Sequence, residues 1–284
     1  MNKFKIFKNY LKRKILIDLL KKYFRPSSYP FLTGDTLRNN ADIIYDETNR
    51  KIPKKIENND LIFVKSDYLK FFFENIHPDI DKTYRLVTHN SDLTISSDFK
   101  KYIDNKVTSW HAQNLDFEMN SIVKPLPIGF ENKRYLNNGV ISSLNRDNLK
   151  KDFFILSCFN NKTHPERTEV EKIYLNNKLV TNKKNISNKE YIQNLSSHMF
   201  SVCPRGNGLD THRLWESIYL KTIPILLRNN FSLNFYNLNL PVLLIDNWSE
   251  INNFSKSDLS DIYKNHELGF KENNYNSVSY WIDI

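Results

Sequence analysis

Short apolar runs, none longer than a strand, recur along the chain with helix-patterned stretches between them. Runs of that length suit strands buried on both faces, and apolar residues three or four apart suit the helices that cover them. The first series predicts strands over 61–65, 84–88 and 107–110, a helix around 68–75, and over 123–130 a strand leading into a Pro- and Gly-shaped loop. A charged, Asn-rich stretch over 132–151 reads as a linker. The second series predicts strands over 153–158, 179–181, 199–203, 223–227 and 241–245, and helices over 165–176, 187–196, 210–220 and 256–266. Strands alternating with helices make parallel sheets. The expected fold is therefore α/β, with two Rossmann-like domains facing a cleft, over 26–148 and 149–284. Ligands of open parallel sheets bind in such a cleft.

Charge is distributed unevenly. Of a net +9, residues 1–25 carry nine bases against Asp18, a net of +8. Phe4, Phe7, Leu11, Ile15, Leu19 and Tyr23 recur there at helical spacing, so 1–25 is expected to be a basic amphipathic helix. Such a helix either lies on an anionic membrane surface or packs on the first domain with solvated lysines. A nucleic-acid binder spreads its bases over a folded face, so no nucleic-acid partner is expected. The longest apolar runs, at 223–227 and 242–245, fall far short of the ~20 residues that span a bilayer. The N-terminal stretch shows no small-residue cleavage pattern. Cys158 and Cys203 end apolar runs and read as buried thiols of a reducing compartment. The expected location is cytoplasmic, with peripheral contact to the inner membrane face as the further option.

The chemistry concentrates between Cys203 and Glu216. A strand stops at Pro204, and Gly206-Asn207-Gly208 then allow a tight turn and close approach of a ligand. Asp210 or Thr211 is placed to cap the next helix, whose N-terminus suits a diphosphate. Arg205 and Arg213 add forked cations, and His212 a further donor. Glu216 shares a helix face with Arg213 and is placed to accept ribose hydroxyls. The plain alternative is a surface Arg213–Glu216 ion pair. Lys162 and Arg167, after the first strand of this half, are candidates for donor phosphates.

Cys203-Pro204-Arg205-Gly206, Thr211-His212-Arg213-Leu214-Trp215-Glu216 and Thr222-Ile223-Pro224-Ile225 resemble the C-terminal signature of exostosin-like glycosyltransferases. A looser similarity runs through Trp110 to Asn114, Pro125 to Gly129 and Val242 to Trp248 and resembles bacterial enzymes that build surface polysaccharides. The resemblance implies a GT-B fold, a nucleotide-sugar donor in the C-terminal domain and a glycan or lipid-linked acceptor in the N-terminal one. No cofactor is expected beyond the nucleotide-sugar, which is the donor substrate.

Glycosyl transfer with inversion needs a base near the acceptor hydroxyl. His89 and Asp92, just past the 84–88 strand, are the candidates, with His111 and Asp35 behind them. Asp35 also reads as a helix cap, and His89 to Asp92 as a plain turn. No metal site is expected, because His and Cys are few and scattered. The competing reading is a nucleotide- or phosphate-binding protein of similar fold without catalysis.

Overall fold

In a computed structural model, the structure describes residues 22–53, 55–135, 138–139, 141–144, 149–267, 269–272 and 274–283. The expected helix over 1–25 lies almost wholly outside the described residues. Two five-stranded sheets, each entirely parallel, form the molecule.

The first sheet contains β1 (Ile43–Tyr45), β2 (Asp60–Lys65), β3 (Tyr84–His89), β4 (Val107–Ala112) and β5 (Val123–Pro125), in that spatial order. Helices α1 (Gly34–Asn39) and α2 (Leu69–Asn75) belong to this half. Leu61, Ile62, Phe63 and Val64 of β2 are all buried, as both faces of a covered parallel strand must be. One face packs with Phe72, Phe73, Tyr84 and Trp110; the other packs with Leu32, Leu37 and Val278. Each such side chain withdrawn from water contributes ~1.5–3 kcal/mol.

The second sheet has the order β10–β9–β8–β6–β7. Its strands are β6 (Phe153–Ser157), β7 (Val180–Asn182), β8 (His198–Val202), β9 (Ile223–Leu227) and β10 (Leu243–Ile245). Between them run α3 (Glu166–Tyr174), α4 (Asn188–Ser197), α5 (His212–Tyr219) and α6 (Asn230–Asn237). After β10 come α7 (Lys256–Glu267), α8 (Gly269–Glu272) and α9 (Val278–Trp281). The chain leaves β6 toward β7 on one side and then returns to place β8 on the other. Strand order therefore reverses between β6 and β8. The first sheet has no such reversal. Pro224 is tolerated in β9 because its neighbour Ile225 turns its carbonyl to Cys203 N, leaving the missing N–H on the side where β10 has not begun.

The predicted strands and helices of the second half appear within two residues of their expected ends. Five of these elements were not foreseen: α1, β1, α6, α8 and α9. Helix α6 has a poor helix composition, Asn-rich and aromatic, but Asn229 and Ser232 close a reciprocal capping box at its start. A further difference concerns the expected division at 149. The segment 274–283 returns to the first half, where Leu32 N donates to Asn276 O and Val278 N to Pro30 O. Trp281 stands edge-on to both Trp215 and Phe235, each at 5.8 Å, so this last helix touches both cores.

Candidate functional site

A cavity of about 630 Å³ opens at the point where the second sheet reverses its strand order. Its walls come from the segments following β6, β7 and β8 and from the start of α5: Cys158 to Lys162, Lys183 to Ile186, and Thr211, His212, Arg213 and Glu216. All these lie beyond the C-terminal ends of parallel strands, where backbone N–H groups and helix N-termini converge.

The cavity is lined by cations. Lys162, Arg167, Lys183, Lys184 and Arg213 face it, against Glu131 and Glu216, and the His212 ring stands beside them. Lys184 is paired with Glu171. Arg167 is buried, and it donates through Nε to Arg205 O at 2.8 Å and through Nη1 to Asn160 O at 2.9 Å, so it braces two loops. Arg213 differs. Its guanidinium makes no hydrogen bond or ion pair with any described residue, and its Nε is buried without a partner. Burial opposes that charge, yet Tyr191, Cys203 and Glu216 around it hold the guanidinium above its usual range. The surface ion pair with Glu216 is not formed. Glu216 instead accepts from Tyr191 Oη at 2.8 Å through Oε2, and Oε1 has no protein donor among the described residues.

Several residues assigned to the donor from sequence stand elsewhere. Arg205, Gly206, Asn207, Gly208 and Asp210 do not line the cavity. Arg205 curls onto its own loop, with Nη2 donating to Asn207 O at 3.0 Å. A Cβ on Gly208 would come within 3.0 Å of Asn114 Nδ2 and 3.3 Å of Asp92 Oδ1, so the close approach is made by the first half of the protein. Thr211 occupies the N-cap position of α5 but its side chain makes no capping bond. Asp210 is buried beneath that helix. It accepts from Ile128 N at 2.7 Å, Thr211 N at 2.8 Å and Trp215 Nε1 at 2.9 Å, while its own N–H donates to Asn114 Oδ1 at 2.8 Å. Burial raises its carboxyl to about 7 against those bonds. Asp210 pins the two halves together.

A smaller cavity of about 310 Å³ lies at the C-terminal ends of β3, β4 and β5 and includes His89, Asn90, Asp92, Gln113 and Ile128. His89 is buried, and both ring nitrogens are engaged. Nε2 donates to Pro127 O at 2.9 Å, and Nδ1 accepts from Asn90 N at 2.8 Å. Burial lowers its pKa to about 4. This neutral ring has no free nitrogen, which removes it as a base. His111 and Asp35 line neither cavity. The cap of α1 is Thr33, not Asp35: Thr33 Oγ1 accepts from Thr36 N. Asp35 is buried between Arg25 at 3.5 Å and Arg134 at 3.2 Å. Asp92 is exposed, lines the cavity, and has no partner on its carboxylate among the described residues.

Glu131 and His212 line both cavities. His212 Nδ1 donates to Gly129 O at 2.7 Å, and Nε2 stands 3.6 Å from Glu131 Oε2. Gly129 has φ +66°, and a Cβ there would meet Leu32 O at 2.2 Å, so only glycine lets the chain present this carbonyl. Glu131 drew no attention in sequence, because a lone carboxylate after an Ile-Gly-Phe turn carries no local signal. No cluster of three or more metal-ligating side chains occurs among the described residues. No helix among them is long and apolar enough to cross a membrane. Compared with known proteins, the chain matches no family model and no curated protein.

Proposed function

We propose that this protein is a GT-B-like glycosyltransferase of exostosin-like type. It takes a sugar from a nucleotide-sugar bound in the larger cavity and passes it to a glycan or lipid-linked acceptor in the smaller one. One observation carries the reading. Arg213, a half-buried guanidinium with two aromatic rings beside it but no hydrogen bond or ion pair to any described residue, stands at the start of α5, at the strand-order reversal, among the cations of a cavity of about 630 Å³. An unpaired buried cation is costly unless an anion meets it. A diphosphate supplies two charges and several acceptor oxygens, and Arg matches them with two parallel donors. The remaining oxygen of Glu216 suits a ribose hydroxyl. Arg213 and the helix dipole would take up the charge that develops on the leaving diphosphate. The likeness of 203–225 to the exostosin-like signature points the same way. The basic segment 1–25 is proposed to hold the enzyme against an anionic membrane surface on the cytoplasmic side.

Calorimetry with UDP, GDP, CDP and ADP, followed by incubation with the matching nucleotide-sugars, tests this. Binding of one diphosphate, with its slow release from the corresponding sugar donor, is the expected result. Binding without release from any donor favours a non-catalytic nucleotide-binding protein. Absence of both ends the proposal.

A further inference from the structure

Resting on the glycosyltransferase reading, we propose that His212 is the catalytic base of a single-displacement, inverting transfer, and that Glu131 positions and balances it. His212 and Glu131 form the wall common to both cavities, so the imidazole stands where a donor on one side and an acceptor on the other would meet. The Nδ1–H bond to Gly129 O fixes the tautomer and leaves the lone pair on Nε2. The Glu131 carboxylate, 3.6 Å from Nε2, has no proton to give that lone pair, so Nε2 stays free to take one, and the carboxylate is near enough to stabilise the imidazolium once a proton arrives. Glu131 is itself held, since its Oε1 accepts from Asn132 N at 2.9 Å. The other histidine on the smaller cavity, His89, has both nitrogens engaged.

In the step, the acceptor oxygen bonds to the anomeric carbon while its proton passes to Nε2 of His212. The bond from that carbon to the diphosphate oxygen breaks, and its electron pair leaves on the diphosphate beside Arg213. His212 then returns its proton to solvent. One displacement inverts the anomeric configuration. Sitting on the α5 helix with Arg213, His212 would couple base and leaving-group stabiliser through one rigid turn.

Donor hydrolysis tests the assignment without an identified acceptor, because water then takes the acceptor's place. The probes are nucleotide-sugars of the four bases above, with nucleoside diphosphate release followed at pH 5 to 9. His212→Asn keeps a donor for Gly129 O but has no base. It is expected to lower kcat by ~10²-fold or more, with KM and diphosphate binding within about threefold of wild type. It should also abolish the fall in rate toward acid pH. Glu131→Gln should lower kcat by about tenfold with diphosphate binding unchanged, since the imidazolium loses its carboxylate. Asp210, Arg213 and His89 also surround the ring, and neither substitution alters them. A His212→Asn enzyme with wild-type kcat and an unchanged acid limb overturns the assignment. So does a larger loss in Asp92→Asn, or a product that retains its configuration. A wild-type protein that binds no diphosphate and cleaves no donor overturns the glycosyltransferase reading itself, and this inference with it.

Discussion

Arg213 and Glu216 lie three residues apart on α5 and line the same cavity, yet they do not pair with each other. Removing the guanidinium therefore breaks no salt bridge among the described residues. Arg213→Ala is expected to weaken nucleoside-diphosphate binding about ten- to a hundredfold, the equivalent of ~1.5–3 kcal/mol for a hydrogen bond to a charged group. Calorimetry on the folded variant measures it, and wild-type affinity would reduce Arg213 to a packing residue. His89 offers a second test. Its folded pKa of about 4 lies below the usual His value, so between those two pH values the unfolded chain holds the extra proton. Stability from His89 is thus complete above about 6.5 and is lost as pH falls toward 4. Buried His111, also near 4, acts in the same direction, whereas Asp210, raised to about 7, acts in the opposite one. His89→Gln can keep one donor and one acceptor while losing the proton site. Urea unfolding at pH 7 and pH 4.5 should show wild type losing up to ~3 kcal/mol more than His89→Gln over that range. Equal losses would mean that His89 is solvated. Spacing on one helix made Arg213 and Glu216 legible in the sequence, but the engagement of His89 depends on Pro127, 38 residues away.

At the scale of elements, the loop between β8 and α5 joins the two halves more than it cradles a ligand. β3 and β4 are each followed closely by an asparagine in the left-handed region, Asn90 at φ 60° and Asn114 at φ 57°. Asparagine adopts that conformation more readily than most residues, and here it turns the chain toward the second half. Asn114 then holds Ser91 O through Nδ2 and receives the N–H of Asp210 on Oδ1. With both ends of that amide occupied, Asn114 cannot retreat from an added methyl group. Gly208→Ala, whose Cβ meets Asn114 at 3.0 Å, should destabilise by ~1–3 kcal/mol. Gly206→Ala meets Arg167 Nη2 at 3.3 Å and nothing else nearer than 3.9 Å, and should cost less. Denaturant midpoints of the two variants decide, and the reverse order would show that the loop does not carry the junction. The Gly-x-Gly turn was legible as a close approach. What approaches it was not, because Asn114 lies almost a hundred residues earlier and only the tertiary fold brings it there.

For the whole molecule, the alternation of apolar runs was enough to predict two parallel sheets, since period and run length are local properties. It could not predict that 274–283 returns to cover the first sheet, because Val278 and Trp281 look like the end of the second series until their partners are known. Nor could it separate Arg25 from the other bases of the N-terminal segment. Arg25 is buried, paired with Asp35, Asp46 and Glu47, and belongs to the folded domain. The charge available to a membrane therefore comes from the bases that precede it, eight against Asp18. Each contributes about 1 kcal/mol near an anionic surface, and salt screens the attraction over roughly 8–10 Å. Full-length protein is expected to sediment with phosphatidylserine-containing vesicles at low salt and to leave them as salt rises, while phosphatidylcholine vesicles retain little. A protein lacking residues 1–21 keeps Arg25 and should fold normally, with donor hydrolysis unchanged but vesicle binding lost. Equal recovery of both forms in the supernatant would mean that the apolar stripe at Phe4, Phe7, Leu11, Ile15 and Leu19 packs on protein instead of lipid. In that case the truncated form should also unfold at lower denaturant, so the two measurements together decide which surface the segment covers.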